Sequence, residues 1–180
     1  MTGREFFNRI SNSNKDFIQE FIDILRDRKI KFCIIDGLAV NVYAEPVISL
    51  DIDIVIISEK LRELLDILQK NFKVKRFEHS IDISSPCSDI RIQIQTDEKY
   101  QEFINRAKLR PVLGYKLPVA CIRDVLMGKI WAYSDKTRRA SKRQKDLADI
   151  VRILEVKPGL FNLLPGELRK QLKFRVNEYK

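Results

Sequence analysis

The sequence predicts an α/β (α+β) fold: a mixed sheet of about five strands flanked by helices, then a helical C-terminal segment. Three observations predict it. Two short runs rich in Ile and Val, residues 30–35 and 50–57, have strand character. Residues 89–96 alternate strictly, with Ile90, Ile92 and Ile94 to one side and Arg91, Gln93 and Gln95 to the other. Around these strands apolar residues recur at helical spacing, as in Phe17, Phe21 and Leu25 or Leu61, Leu64, Leu65 and Leu68. The chain has 180 residues, 44% hydrophobic and 33% charged, which suits one soluble domain, or one with a small appendage, with a real core. Residues 1–121 form the expected α/β core, and residues 122–180 the helical segment packed on the same domain.

The first helix is expected over residues 15–28, capped by Ser13 or Asn14. After the strand at 30–35, Gly37 opens a short helical run, 38–43. Pro46 keeps that helix from continuing through the loop Ala44-Glu45-Pro46. The strand at 50–57 follows, then Ser58 caps a helix over 59–71 and a strand covers 74–78. A loop runs through Ser84-Ser85-Pro86-Cys87, bordered by His79, the only histidine, which is expected to be exposed and without a catalytic role. The alternating strand 89–96 reads as a half-exposed edge strand or as one wall of a site. A helix over 99–107, a hairpin over 112–120 turning at Gly114, and a helix over 122–134 come next. Gly128 within that last helix points to a close contact on its face, and Trp131 reads first as core. Residues 135–143 (DKTRRASKR) make a basic connection to a helix over 142–155, with Leu147, Ile150, Val151 and Leu154 inward. Pro158-Gly159 ends it, and Pro165-Gly166 begins a last helix over 167–179.

No apolar run approaches the length of a membrane span, and the first residues lack the continuous apolar core of a signal peptide. Three cysteines, odd in number and without metal-ligand spacing, suit reduced thiols in the cytoplasm. Charge is divided along the chain. Residues 1–100 hold 15 Lys+Arg against 17 Asp+Glu, and residues 101–180 hold 19 against 8. The basic half is suited to an anion: a triphosphate, RNA or an acidic partner.

The chemistry concentrates in residues 32–57. Asp51 and Asp53 stand at i and i+2 of an apolar strand, so both carboxylates share one face. Two like charges there need a cation, and a divalent metal takes oxygen ligands from both. On their own, the pair also reads as strand-end residues bridged to Lys or Arg. The Gly37 helix start offers backbone N–H groups and the positive end of a dipole to an anion such as a phosphate.

The order strand, Gly turn, short helix, loop and Asp-x-Asp strand resembles the nucleotidyltransferase superfamily related to DNA polymerase beta. Its signature is a Gly-Gly or Gly-Ser pair, a spacer of about a dozen residues, and Asp-x-Asp. Here thirteen residues separate Gly37 from Asp51, and Asp36 stands where the first glycine is expected. The segments SDIRIQIQTD, RDVLMGKIWAYS and KRQKDLADI are similar to those of minimal bacterial nucleotidyltransferase-like proteins, including type IV abortive-infection toxins; the likeness spans about residues 16 to 155. It implies transfer of a nucleoside monophosphate from an NTP such as ATP to an RNA, protein or small-molecule acceptor, using Mg²⁺ or Mn²⁺. Asp51 and Asp53 would hold the metal. Gln93 would stand at the third carboxylate's place, with Asp89 or Asp97 as substitutes at the strand ends. Asp36, Gly37 and Lys129 would lie at the phosphates, with Lys145 as a phosphate contact and Asp146 as its orienting partner. Asp36 and Gln93 also suit a second reading, a degenerate fold acting as a nucleotide- or RNA-binding module or as one half of a toxin–antitoxin pair. An antibiotic-modifying adenylyltransferase would need an acidic pocket for a cationic acceptor, which the basic C-terminal half argues against.

Overall fold

The computed structural model describes residues 5, 8, 9, 11–13 and 15–176. Among them seven strands form one mixed sheet: β1 (Phe32–Ile34), β2 (Asp51–Ile56), β3 (Lys73–Arg76), β4 (Ser80–Ser84), β5 (Arg91–Gln95), β6 (Lys108–Val112) and β7 (Tyr115–Val119). Their spatial order is β3-β4-β5-β2-β1-β7-β6. The β2–β5 and β1–β7 pairs are parallel and the other pairs antiparallel. The helices are α1 (Phe17–Asp27), α2 (Asp36–Tyr43), α3 (Leu61–Asn71), α4 (Gln101–Arg106), α5 (Ile122–Ser134), α6 (Ala140–Val156) and α7 (Gly166–Val176). Every described element after β7 is helical.

The α/β fold is as expected, but the sheet has seven strands rather than about five. One addition is β4, whose Ile81 and Ile83 are buried between the polar Ser80, Asp82 and Ser84. Ser and Asp at three of five positions make this segment look like a turn in composition, and pairing with both β3 and β5 makes it a strand. The other is β6, with Pro111 inside it, a residue tolerated because β6 lies at the edge of the sheet. The hairpin therefore runs from Lys108 to Val119. It turns at Leu113-Gly114, where φ values of 52° and 84° are the left-handed pair that matches strand twist in a two-residue connection.

Caps and bounds differ in detail. Asp16 caps α1, accepting from the Gln19 amide at 2.9 Å, while Ser13 bonds instead to Ser11 and Ser88. Asn14 lies outside the described residues, as do the final residues expected in the last helix. Ser58 begins a 3-10 turn through Lys60 rather than capping α3. β5 is not an edge strand; it lies between β4 and β2. Gly128 does meet a close neighbour, since a Cβ there would stand 3.3 Å from the Tyr100 ring.

The alternation of β2, β4 and β5 divides the sheet into two faces. Ile52, Ile54, Ile81, Ile83, Ile92 and Ile94 point into the core, where α1 contributes Phe17, Ile18, Phe21 and Leu25. The opposite phase leaves Asp51, Asp53, Asp82, Arg91, Gln93 and Gln95 on a polar face. Against that side α2, α5 and α6 pack on one another, with α2 also touching β2. The site lies where the polar face meets these three helices.

Candidate active site

The cleft at this junction has a volume of about 270 Å³. Asp51 and Asp53 line it from β2, Arg91, Gln93 and Gln95 from β5, and Asp36 and Gly37 from the start of α2. Tyr100, Phe103, Gly128 and Ala132 form an apolar wall, and Lys142 and Lys145 a basic one. Of the residues expected at the site, Asp36, Gly37, Asp51, Asp53, Gln93, Lys129, Lys145 and Asp146 are all brought to this one cleft. Asp89 and Asp97 are not: Asp89 accepts from Asn12 at 2.5 Å and Asp97 pairs with Lys99 at 2.8 Å.

The two carboxylates of β2 differ. Asp51 is bridged by Arg91, at 3.1 Å from Nε and 2.9 Å from one terminal nitrogen. Both contacts fall on Oδ1, and Oδ2 accepts no hydrogen bond among the described residues. The Asp53 carboxylate has no hydrogen bond and no ion pair within 4 Å among the described residues. Burial, reinforced by the nearby Asp36 and Asp51 charges and opposed by Lys129 and Lys145, pushes its carboxyl up to about 8. An uncompensated carboxylate beside a second one with a free oxygen fits a divalent cation by charge and donor type.

A second cluster of carboxylates, Asp36, Asp146 and Asp149, has its cation built in. Lys129 is only 1% exposed, and its ammonium lies 3.0 Å from Asp146 and 2.7 Å from Asp149 and pairs also with Asp36. Arg138 adds a 2.8 Å bridge to Asp146, and Arg152 a 2.7 Å bridge to Asp149. Three cations thus meet three carboxylates, and the network ties α2, α5 and α6 together. The expectation that Lys129 grips phosphate meets a different arrangement, because its charge is taken by these partners. Asp146 likewise orients Lys129 and Arg138 rather than Lys145. Lys145 is exposed, with Nζ about 4.0 Å from where a Cβ on Gly37 would sit. It lies over the start of α2, where Lys129 already holds Asp36.

At position 36 the backbone takes φ 56°, the left-handed region that favours glycine and that Asp tolerates better than most residues. The Asp36 carboxylate turns back and accepts from the Gly37 N–H at 2.6 Å. Burial acts to raise this carboxyl, but the Lys129 charge and hydrogen bond, Arg138 and the Gly37 amide together hold it below its ordinary value. The amide expected to meet a phosphate is therefore already met by an internal anion.

Sequence reasoning missed Asp82. It sits on β4 in register with Gln93, which is itself in register with Asp53. The alternation of Ser80, Asp82 and Ser84 with two isoleucines was the available signal.

No family model and no curated relative matches the sequence. Solved structures do. The antibiotic-resistance factor ANT(2'')-Ia is 12% identical over 89% of each chain, with a TM-score of 0.55. The lincosamide antibiotic adenylyltransferase LnuA, determined with lincomycin bound, is 12% identical over 79% of this chain and 99% of that one, at 0.52. An antigenic nucleotidyltransferase-like protein from Paracoccidioides brasiliensis is 20% identical over 88% of this chain and 85% of that one, at 0.51. At such identities the likeness is one of fold, and the chain has a nucleotidyltransferase-like fold. No helix among the described residues is long and apolar enough to cross a membrane.

Proposed function

We propose that this protein is a metal-dependent nucleotidyltransferase that moves a nucleoside monophosphate from an NTP to an acceptor hydroxyl, releasing pyrophosphate. The observation that carries the reading is the uncompensated Asp53 carboxylate beside Asp51 at the floor of a cleft with a basic wall. Asp51 and Asp53 would hold Mg²⁺ or Mn²⁺, which when bound offsets charge on the transferring phosphorus and lowers the acceptor's pKa. Lys142 and Lys145 draw the triphosphate toward the start of α2. Gln93 offers a neutral oxygen at the cleft, and Tyr100 and Phe103 with Gly128 give it one apolar side. Incubation with each labelled NTP, Mg²⁺ and total RNA tests the reading by transfer of label. NTP binding without transfer to any acceptor offered would favour the binding-module reading instead, in which the fold serves a nucleotide, an RNA or a toxin–antitoxin partner. Asp36 on the Gly37 amide and the uncharged Gln93 are what favour that second reading.

The acceptor we propose is RNA, for which the basic half supplies the surface. Arg138 and Arg143 are committed to the fold, Arg138 to Asp146 and Arg143 to the Tyr133 carbonyl at 2.7 Å. Arg139, Lys142 and Lys145 are exposed and have no ion pair among the described residues. Changing these three to Glu is expected to weaken RNA binding and flatten its dependence on salt, since each phosphate contact releases counterions. Titrations at two salt concentrations measure it. An unchanged slope would take RNA off this wall.

A further inference from the structure

Across β4, β5 and β2 one row of the polar face reads Asp82, Gln93, Asp53. Neighbouring strands lie about 4.8 Å apart, so the backbone of Asp82 stands roughly 10 Å from that of Asp53. Gln93 lies between them, and its contacts are one-sided. Its Nε2 donates to Asp82 Oδ1 at 3.0 Å and to Ser80 Oγ at 3.1 Å. A carboxylate accepts and does not donate, so Asp82 dictates which end of the carboxamide faces β4. The Gln93 Oε1 is left without a hydrogen bond among the described residues, on a side chain that lines the cleft. The other oxygen of Asp82 is 3.5 Å from Arg91, the same guanidinium that holds Asp51 Oδ1. Asp82 thus sets two groups at once: the amide oxygen offered beside Asp53, and the arginine that leaves Asp51 Oδ2 open.

We propose that Asp82 is a positioning residue for the metal, acting through Gln93 to supply part of what a carboxylate at position 93 would supply directly. Its negative charge polarises the carboxamide, so that Oε1 carries more of the charge that a cation seeks. Partners of this kind orient and strengthen metal ligands without touching the ion. The inference rests on the metal site proposed at Asp51 and Asp53.

The test is Mn²⁺ binding to the full chain in the presence of a non-hydrolysable ATP analogue, read from the electron paramagnetic resonance signal of free Mn²⁺. Melting temperatures without metal are recorded beside it. In Asp82→Asn the new amide can donate to Gln93 Oε1, turning the carboxamide over so that its NH₂ faces the cation. Affinity for Mn²⁺ is expected to fall by about tenfold or more. The double variant Asp82→Asn with Gln93→Asp returns one negative charge to the row and is expected to restore binding, whatever its metal-free melting temperature. Ser80→Ala, which removes only the neutral acceptor, is expected to bind like the parent. If Asp82→Asn binds Mn²⁺ like the parent while Asp53→Asn does not, the role of Asp82 is overturned and the metal site stands. A loss in Asp82→Asn that the double variant fails to restore makes Asp82 a purely structural residue and also overturns it. Unchanged binding in Asp53→Asn would remove the metal site itself, and with it the role of Asp82.

Discussion

Asp53→Asn is expected to abolish the rise in melting temperature that Mg²⁺ with ATP gives the parent protein. At a hundredfold excess over Kd a ligand adds about 2.7 kcal/mol, which for a chain of this size is roughly 5–10 °C. Transfer should fall by about a thousandfold or more, because the metal's charge stabilisation is worth several kcal/mol. The effect has a pH signature. The Asp53 carboxyl is pushed up to about 8, above its unfolded value, by burial and by Asp36 and Asp51. The folded state therefore keeps a proton that the unfolded state has lost, and metal-free stability declines as pH rises from the unfolded carboxyl range through about 8. Metal binding expels that proton, so the gain from Mg²⁺ with ATP grows over the same window. Asp53→Asn should flatten both trends. A variant that still gains stability from metal with ATP would take Asp53 out of the site.

Lys129→Met is expected to be among the most destabilising single changes in the chain. Its ammonium is buried among Asp36, Asp146 and Asp149, and removing it leaves three carboxylates to two arginines. Breaking a buried pair from one side costs about 3–5 kcal/mol, or roughly 6–20 °C in melting temperature here. Acid should act oppositely on parent and variant. In the parent, Asp36 is held below its ordinary value because Lys129 and its other partners outweigh burial. Its contribution is present above the unfolded carboxyl pKa and is lost as pH falls through the lower folded value. Without Lys129, burial dominates and protonation relieves the cluster, so the gap between variant and parent should narrow toward pH 4 or so. Thermal melts across pH measure this, and parallel profiles would show that the carboxylates find compensation elsewhere.

Asp36 links these two results. Its carboxylate lies among the charges that raise Asp53, while its own partners are Lys129 and the Gly37 amide. Where the resemblance leads one to expect glycine, Asp36 thus does two things glycine cannot: it closes the Lys129 network, and it puts a negative charge near Asp53.

The sequence by itself determined the elements whose residues state their own environment. The period-2 isoleucines of β2 and β5 and the stripe of α1 were legible because burial of one face dictates spacing. The pairing of Asp51 with Asp53 on one face was legible for the same reason. Tertiary structure alone decided which charges meet. Asp82 meets Gln93 and Arg91 because β4 pairs with β5, which places it in register with Gln93 eleven residues away. Lys129, expected at the phosphates, is a buried anchor because α2 and α6 bring carboxylates to it across 93 and 17 residues of chain. Strand and helix periods report which side of an element is wet or dry. The partner of a charge depends on packing between elements distant in sequence, and no local spacing records it.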